Sequence, residues 1–142
     1  MNRRKRTEIL IKGDRSLSKK ISHYIQCNFD TKVIEDPRGC LVMLKTREYG
    51  KGGLFYLGEV YATQCKAMVQ NALGLGIYAG HNHEFAMDLA IIDAAYKGGL
   101  DLELFNQDFL KEEARLQEKE RLDFSRLMDT KVDFSTMEVQ DA

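Results

Sequence analysis

Between Phe85 and Tyr96 the chain carries a helical stretch with almost no polar face. Phe85, Leu89, Ile92 and Tyr96 recur at helical spacing and form one stripe, while Ala86, Ala90, Ile91 and Ala94 fill its flanks. A helix apolar on nearly all sides must be covered on several faces. Either it packs on a sheet beneath other helices, or a partner chain covers it. Only a layered fold with this helix inside, or a subunit that gives it to a neighbour, accommodates such a segment.

What precedes this helix narrows the fold. Phe55–Val69 reads as a long strand, interrupted at Gly58 by a bulge or a close backbone approach. Asn71–Gly76 turns the chain, and Gly76–Ala79 makes a short strand. Upstream, Thr31–Glu35 and Gly39–Arg47 are rich in Val, Ile and Leu and flank Asp36-Pro37-Arg38-Gly39, which reads as a type I turn. Glu48–Gly53 holds three glycines and reads as a flexible loop. Short connections favour antiparallel pairing. Helices are expected over Arg4–Ile11 and over Ser16–Gln26 with Ser16 as N-cap. A long last helix begins near a capping Asp108 and reaches about Met128. Nine of its residues from Lys111 to Asp123 are charged, with signs mixed, beside a ragged apolar stripe of Phe109, Leu116, Leu122, Phe124 and Leu127. The expectation is one α+β domain over residues 1–142. Its sheet is mainly antiparallel, of four to five strands packed by helices, and residues 107–142 project toward a partner.

Composition excludes several functions. With 142 residues and 44% hydrophobic usage, the chain has material for a real core. A net charge of -1 offers no bulk attraction to nucleic acid or to an anionic membrane. The basic start, Asn2–Arg6, is followed by only Ile9-Leu10-Ile11, too short for a signal-peptide core, and no run approaches membrane-spanning length. Three widely spaced cysteines (Cys27, Cys40, Cys65) argue against a disulfide framework and suit a reducing cytoplasm.

Candidate chemistry centres on Gly80-His81-Asn82-His83. Two histidines one residue apart can face the same side of an extended backbone and suggest a metal pair. No third ligand is convincingly spaced, so no metal or cofactor is expected. A glycine before a helix start also offers free backbone N–H groups and a favourable dipole to an anion, with Asn82 as the N-cap. Asp88 and Asp93 lie about 140° apart around their helix and do not converge as an acid–base pair. Asp93, on an apolar helix, needs a partner such as Arg15, Arg38 or an arginine of another subunit. Cys27 and His23 share a helix face as a weak nucleophile–base candidate. No self-sufficient active site emerges. The tail from Lys131 to Met137 has too few apolar anchors to fold unaided.

One family fits these features. Phe55-Tyr56-x-Gly58-Glu59, Thr63, Gly74-x-Gly76-x-x-x-Gly80, Ala86-x-x-x-Ala90-x-Ile92-Asp93-Ala94 and Val132-Asp133-Phe134-x-Thr136-Met137-x-x-x-Asp141 resemble the G subunit of the bacterial carbon–phosphorus lyase core complex, the PhnG family. The likeness spans about Glu8 to Asp141, with departures at Gln64, His81–His83 and Ser135. It implies a non-catalytic subunit that assembles with the H, I and J subunits, two copies per complex, and meets the ATPase-like L subunit indirectly. With H, I and L it would be required for transfer of the ribose 5-triphosphate of ATP to a phosphonate, adenine being displaced, to give α-D-ribose 1-methylphosphonate 5-triphosphate. Under this reading Val132, Asp133, Phe134, Thr136 and Met137 bind a partner, and Gly58, Gly76 and Asp93 are structural. The rival reading is a phosphate-ligand binding or sensing domain built on Gly80–Glu84.

Overall fold

The structure, a computed structural model, describes residues 1–133. In chain order it contains α1 (Arg3–Lys12), α2 (Arg15–Asn28), β1 (Thr31–Arg47), β2 (Leu54–Val69), β3 (Ala72–Ala79), α3 (His83–Lys97), a 3-10 turn at Glu103–Phe105, and α4 (Asn106–Asp129). The class is α+β. The three strands form one antiparallel sheet in the order β1-β2-β3, fewer than the expected four or five. The difference lies at Pro37. Asp36–Gly39 does not reverse the chain; β1 runs straight through it. The ladder to β2 absorbs one extra β1 residue between Val33 and Glu35 and another between Glu35 and Arg38. An edge strand tolerates a proline at such a bulge, since the lost N–H interrupts only one side of the ladder.

Side-chain caps set most helix starts. Asn2 accepts from the Lys5 N–H, and Asn82 accepts from the Phe85 N–H at 3.0 Å. For α2 the cap is Asp14, which accepts from the Ser16 N–H at 3.0 Å, so the expected cap Ser16 is two residues inside. The helix α4 begins at Asn106 with no side-chain cap. Asp108, expected to cap it, sits in the first turn and accepts from Lys20 Nζ at 2.7 Å.

The apolar helix α3 finds its cover within its own chain. One side rests on β2 and β3, and α2 and α1 lie against the other. Ile9, Leu10, Ile21 and Ile25 meet Phe85, Leu89, Ile91 and Ile92 there, and Leu102, Phe105 and Phe109 close the end. Each such large side chain contributes about 1.5–3 kcal/mol by leaving water. Contact with the sheet is close because β3 presents glycines to the alanines of α3. A Cβ on Gly74 would strike the Ala90 carbonyl and the Ala94 backbone; one on Gly76 would strike the Ala86 carbonyl and, at 2.6 Å, the Ala90 nitrogen.

Surplus apolar surface lies elsewhere. The strand β3 pairs with β2 only from Ala62 to Val69, whereas the β1–β2 ladder continues to Arg47 and Leu54. Leu41–Tyr61 therefore extends past the third strand as a two-stranded arm. Leu41, Met43, Leu44, Leu54, Phe55, Tyr56 and Leu57 are all exposed on it. Its register slips between Leu44 and Lys45, where β2 carries one extra residue beside Gly58, and nothing lies within 4 Å of a Cβ built on Gly58. The far half of α4 also projects, with Leu122, Phe124, Leu127 and Met128 exposed.

The two glycines should thus respond oppositely. Gly76→Ala drives a methyl into the α3 backbone and is expected to cost about 2–3 kcal/mol in urea unfolding. Gly58→Ala meets open space and should change stability by no more than about 1 kcal/mol. The reverse ranking would show that α3 is not seated on β3 at this depth.

Candidate functional site

The segment linking β3 to α3 gathers the residues singled out for anion binding. Gly80 has φ +128°, a backbone conformation that favours glycine. Its N–H donates to the Tyr61 carbonyl at 3.1 Å, and its carbonyl accepts from Thr63 Oγ1 at 2.6 Å. Thr63 Oγ1 in turn accepts from the Asn82 N–H at 3.3 Å, and the Asn82 carbonyl takes the Ala86 N–H. Thr63 is fully buried and acts as a clamp on the loop. In the sequence it appears only as one motif position, since a lone threonine in a strand carries no sign of a partner 17 residues away. His81 and His83 are exposed, with ring centroids 4.7 Å apart, and His81 Nδ1 lies 3.3 Å from the Tyr61 hydroxyl. Gly80, His81, Asn82 and His83 thus stand together at the start of α3 and the base of the arm. The backbone donors of Gly80, Asn82, Phe85 and Ala86 are engaged within the protein.

Among the described residues, no group of three or more His, Cys, Asp or Glu side chains is arranged to hold a metal ion. Cys27 Sγ lies 3.6 Å from His23 Nε2 on an exposed face of α2, with no enclosing cavity around the pair. Burial pushes the Cys65 thiol up to about 11, with Asp36 and Glu35 adding to the effect, so it stays protonated at neutral pH. A shallow groove lies between α2 and α4, where Lys20 is paired with Asp108 and Arg115 with Glu112. No described helix is long and apolar enough to cross a membrane.

The two aspartates of α3 diverge, as their spacing requires. Asp93 is held by Arg3, whose Nε and Nη2 donate to its two oxygens at 2.7 and 3.0 Å. It also accepts from the Leu75 N–H at 3.1 Å, lies 3.2 Å from Lys97 Nζ, and has Arg6 Nη2 at 3.9 Å. Neither arginine named from the sequence does this work: Arg15 donates to the Tyr78 hydroxyl at 2.8 Å, and Arg38 pairs with Glu35. Burial pushes the Asp93 pKa up and is the largest single influence. The bonds from Arg3, Leu75 and Lys97, with the Arg3 charge, outweigh it together and hold the carboxyl below its usual range. Asp88 faces α2. Burial raises its pKa, against a bond from Ser22 and the Lys19 charge.

Of the residues assigned to partner binding, Val132 is exposed and Asp133 follows it past the end of α4. Phe134, Thr136 and Met137 lie outside the described residues.

Opposite pH signatures follow for the aspartates. A depressed folded-state pKa means that Asp93 contributes stability that is complete above its unfolded pKa, about 3.9, and is lost as pH falls through the folded value. Asp93→Asn should therefore cost about 1–3 kcal/mol at pH 7, and the gap from the parent should narrow below about pH 4 in unfolding measured across pH. Asp88, its pKa raised, carries a penalty in its charged form. Asp88→Asn should be neutral or slightly stabilising at pH 7, and any advantage should close as acid protonates Asp88. A loss of stability for Asp88→Asn as large as that for Asp93→Asn would contradict the assignment.

No curated protein sequence matched the chain. A protein-family model did, that of phosphonate metabolism protein PhnG, over residues 1–139. That span takes in the glycine-bearing strand β3, the clamped start of α3 and the Asp93 anchor. By this match along nearly its whole length, the chain belongs to the PhnG family and has its role in phosphonate metabolism.

Proposed function

We propose that the chain is a non-catalytic subunit of the carbon–phosphorus lyase core complex. The observation that carries this reading is the family match over residues 1–139. The chain joins the H, I and J subunits, in two copies per complex, and reaches the ATPase-like L subunit through them, in the bacterial cytoplasm. With H, I and L it supports transfer of the ribose 5-triphosphate of ATP to a phosphonate, displacing adenine and forming α-D-ribose 1-methylphosphonate 5-triphosphate. It supplies surface rather than reacting groups. Two features support that division of labour. The described titratable residues converge on no enclosed cavity that could hold a nucleotide, the enclosed space beside Arg6 and Asp93 being only about 20 Å³. Both projecting elements, the arm and the end of α4, expose apolar side chains.

Co-expression with the H, I and J subunits, followed by affinity capture and sizing, tests the reading. The intact chain should enter one complex with them, and failure to do so would refute subunit membership. Deleting Val132–Ala142 should reduce capture at least tenfold and leave thermal unfolding nearly unchanged, because Val132 lies outside the core. Undiminished capture of the truncated chain would remove the tail from the interface.

A further inference from the structure

We infer that the β-arm Leu41–Tyr61 is a docking element enclosed on both faces by a different protein, one that offers it an apolar cleft with carboxylates at the mouth. The inference rests on the reading of the chain as a subunit and assigns that role a surface. Residues paired across an antiparallel ladder share a face, as do residues two apart on a strand. One face of the arm therefore carries Val42, Leu44, Phe55 and Val60 with Thr46, and the opposite face carries Leu41, Met43, Leu54, Tyr56 and Tyr61 together with Lys45, Arg47 and Glu59. Large apolar side chains are exposed on both: Phe55 and Leu44 are 44% and 43% exposed on the first, Tyr56 and Leu41 60% and 64% on the second. A sheet that ends in water keeps one polar face; here the charges of Lys45, Arg47 and Glu59 interrupt one face without displacing its exposed apolar side chains, and the other face carries no charge.

Its edges are open as well. The strand β1 is an edge strand along its whole length, and beyond Tyr61, whose carbonyl takes the Gly80 N–H, β2 has no neighbour but β1. The other end of the sheet is treated differently. At the outer edge of β3, the Leu75 N–H donates to Asp93 and the Leu73 carbonyl accepts from Lys97 Nζ. The fold stops one edge with side chains and leaves the other open beside exposed apolar residues, the combination that invites a further strand.

Three occupants are conceivable, and geometry selects among them. A second copy in a two-fold dimer would enclose both faces only by gripping the arm in a cleft of its own, and the wide grooves among the described residues are shallow and open; contact through one flat patch covers one face or one edge. The nine residues after Asp133 reach about 30 Å when extended, but one strand is only about 4.8 Å wide and likewise covers one edge or one face. A separate folded chain with a cleft covers both. Charge gives that cleft its sign. The distal half of the arm has three cations, Lys45, Arg47 and Lys51, against one carboxylate, Glu48, which calls for acidic groups at the mouth. From Leu41 to Tyr61 the arm supplies 21 residues, within the roughly 20–30 a side of a specific stable interface.

The test uses two double variants of the full chain, one for each face: Leu41→Asp with Tyr56→Asp, and Leu44→Asp with Phe55→Asp. Both are co-expressed with the H, I and J subunits and are also sized alone. Because these side chains are exposed, both variants should unfold within a few degrees of the parent. Each should lower capture of the other subunits about tenfold or more. Lys45→Glu with Arg47→Glu should weaken capture too, most clearly at low salt. If the intact chain assembles and both face variants assemble equally well, the arm is not the docking element and the subunit reading survives. Loss confined to one face overturns enclosure in favour of one-sided docking. Self-association of the chain alone, abolished by the face variants while capture stays intact, makes the occupant a second copy and also overturns the inference. Failure of the intact chain to assemble refutes the subunit reading, and this inference with it.

Discussion

The close seating of α3 on β3 governs the rest of the molecule. Only glycine at 74 and 76, facing alanines at 86, 90 and 94, lets helix backbone approach strand backbone so nearly. That depth brings the Asp93 carboxylate, one helical turn along, within reach of the Leu75 N–H, and lets Lys97 reach the Leu73 carbonyl. An ionised carboxylate drawn this far from water requires a cation, and Arg3 fills the need with two bonds, tying α1 to α3. Arg6, one turn on, lies over the Tyr96 ring at 3.8 Å and completes the seam. A packing choice made with the smallest side chains thus fixes an ion pair, which fixes the first helix.

The same seating decides where unburied apolar surface is left. The helix α3 is covered by the sheet, α1, α2 and the start of α4, so the most apolar segment of the chain asks nothing of a partner. The demand moves to β2. It is 16 residues long and β3 only eight, so half of β2 runs on with β1 as its sole neighbour. Strand lengths, rather than the hydrophobicity of any window, create the arm.

This also explains which features were legible in the sequence. All four helices were expected, α2 and α3 from helical spacing, and Asn82 declared itself as a cap because a short polar side chain before an apolar run has one efficient use. Capping failed for Ser16 because Asp14 takes the Ser16 N–H and starts the helix earlier, and for Asp108 because the helix begins at Asn106 and Lys20 on α2 holds its carboxylate. Asp36-Pro37-Arg38-Gly39 has the letters of a turn. Whether it folds back or bulges depends on an uninterrupted ladder to β2, a contact some 25 residues away that no local pattern encodes. Arg3 was invisible as the partner of Asp93 for the same reason, 90 residues separating them. The apolar richness of Gly39–Arg47 and the long run Phe55–Val69 announced strands truthfully, but neither reveals how wide the sheet will be.

The loop Gly80–His83 joins these threads. Its histidines and its place at a helix start suggest a ligand site, yet most of its donors and acceptors are turned inward. Gly80 bonds to Tyr61, the last residue of the arm, and Thr63, two residues further along β2, clamps the Gly80 carbonyl and the Asn82 N–H. Tyr61 and His81 meet across the same junction. The loop is therefore the root of the arm, where the free ribbon becomes a sheet backed by α3. A two-stranded ribbon is stable only marginally by itself. Anchoring its base to the N-terminus of the most buried helix sets the direction in which it leaves the body, and less of its orientational entropy then has to be given up on docking. A subunit that contributes surface rather than chemistry gains most from such an anchor, because its affinity for a cleft depends on presenting both apolar faces at one fixed angle.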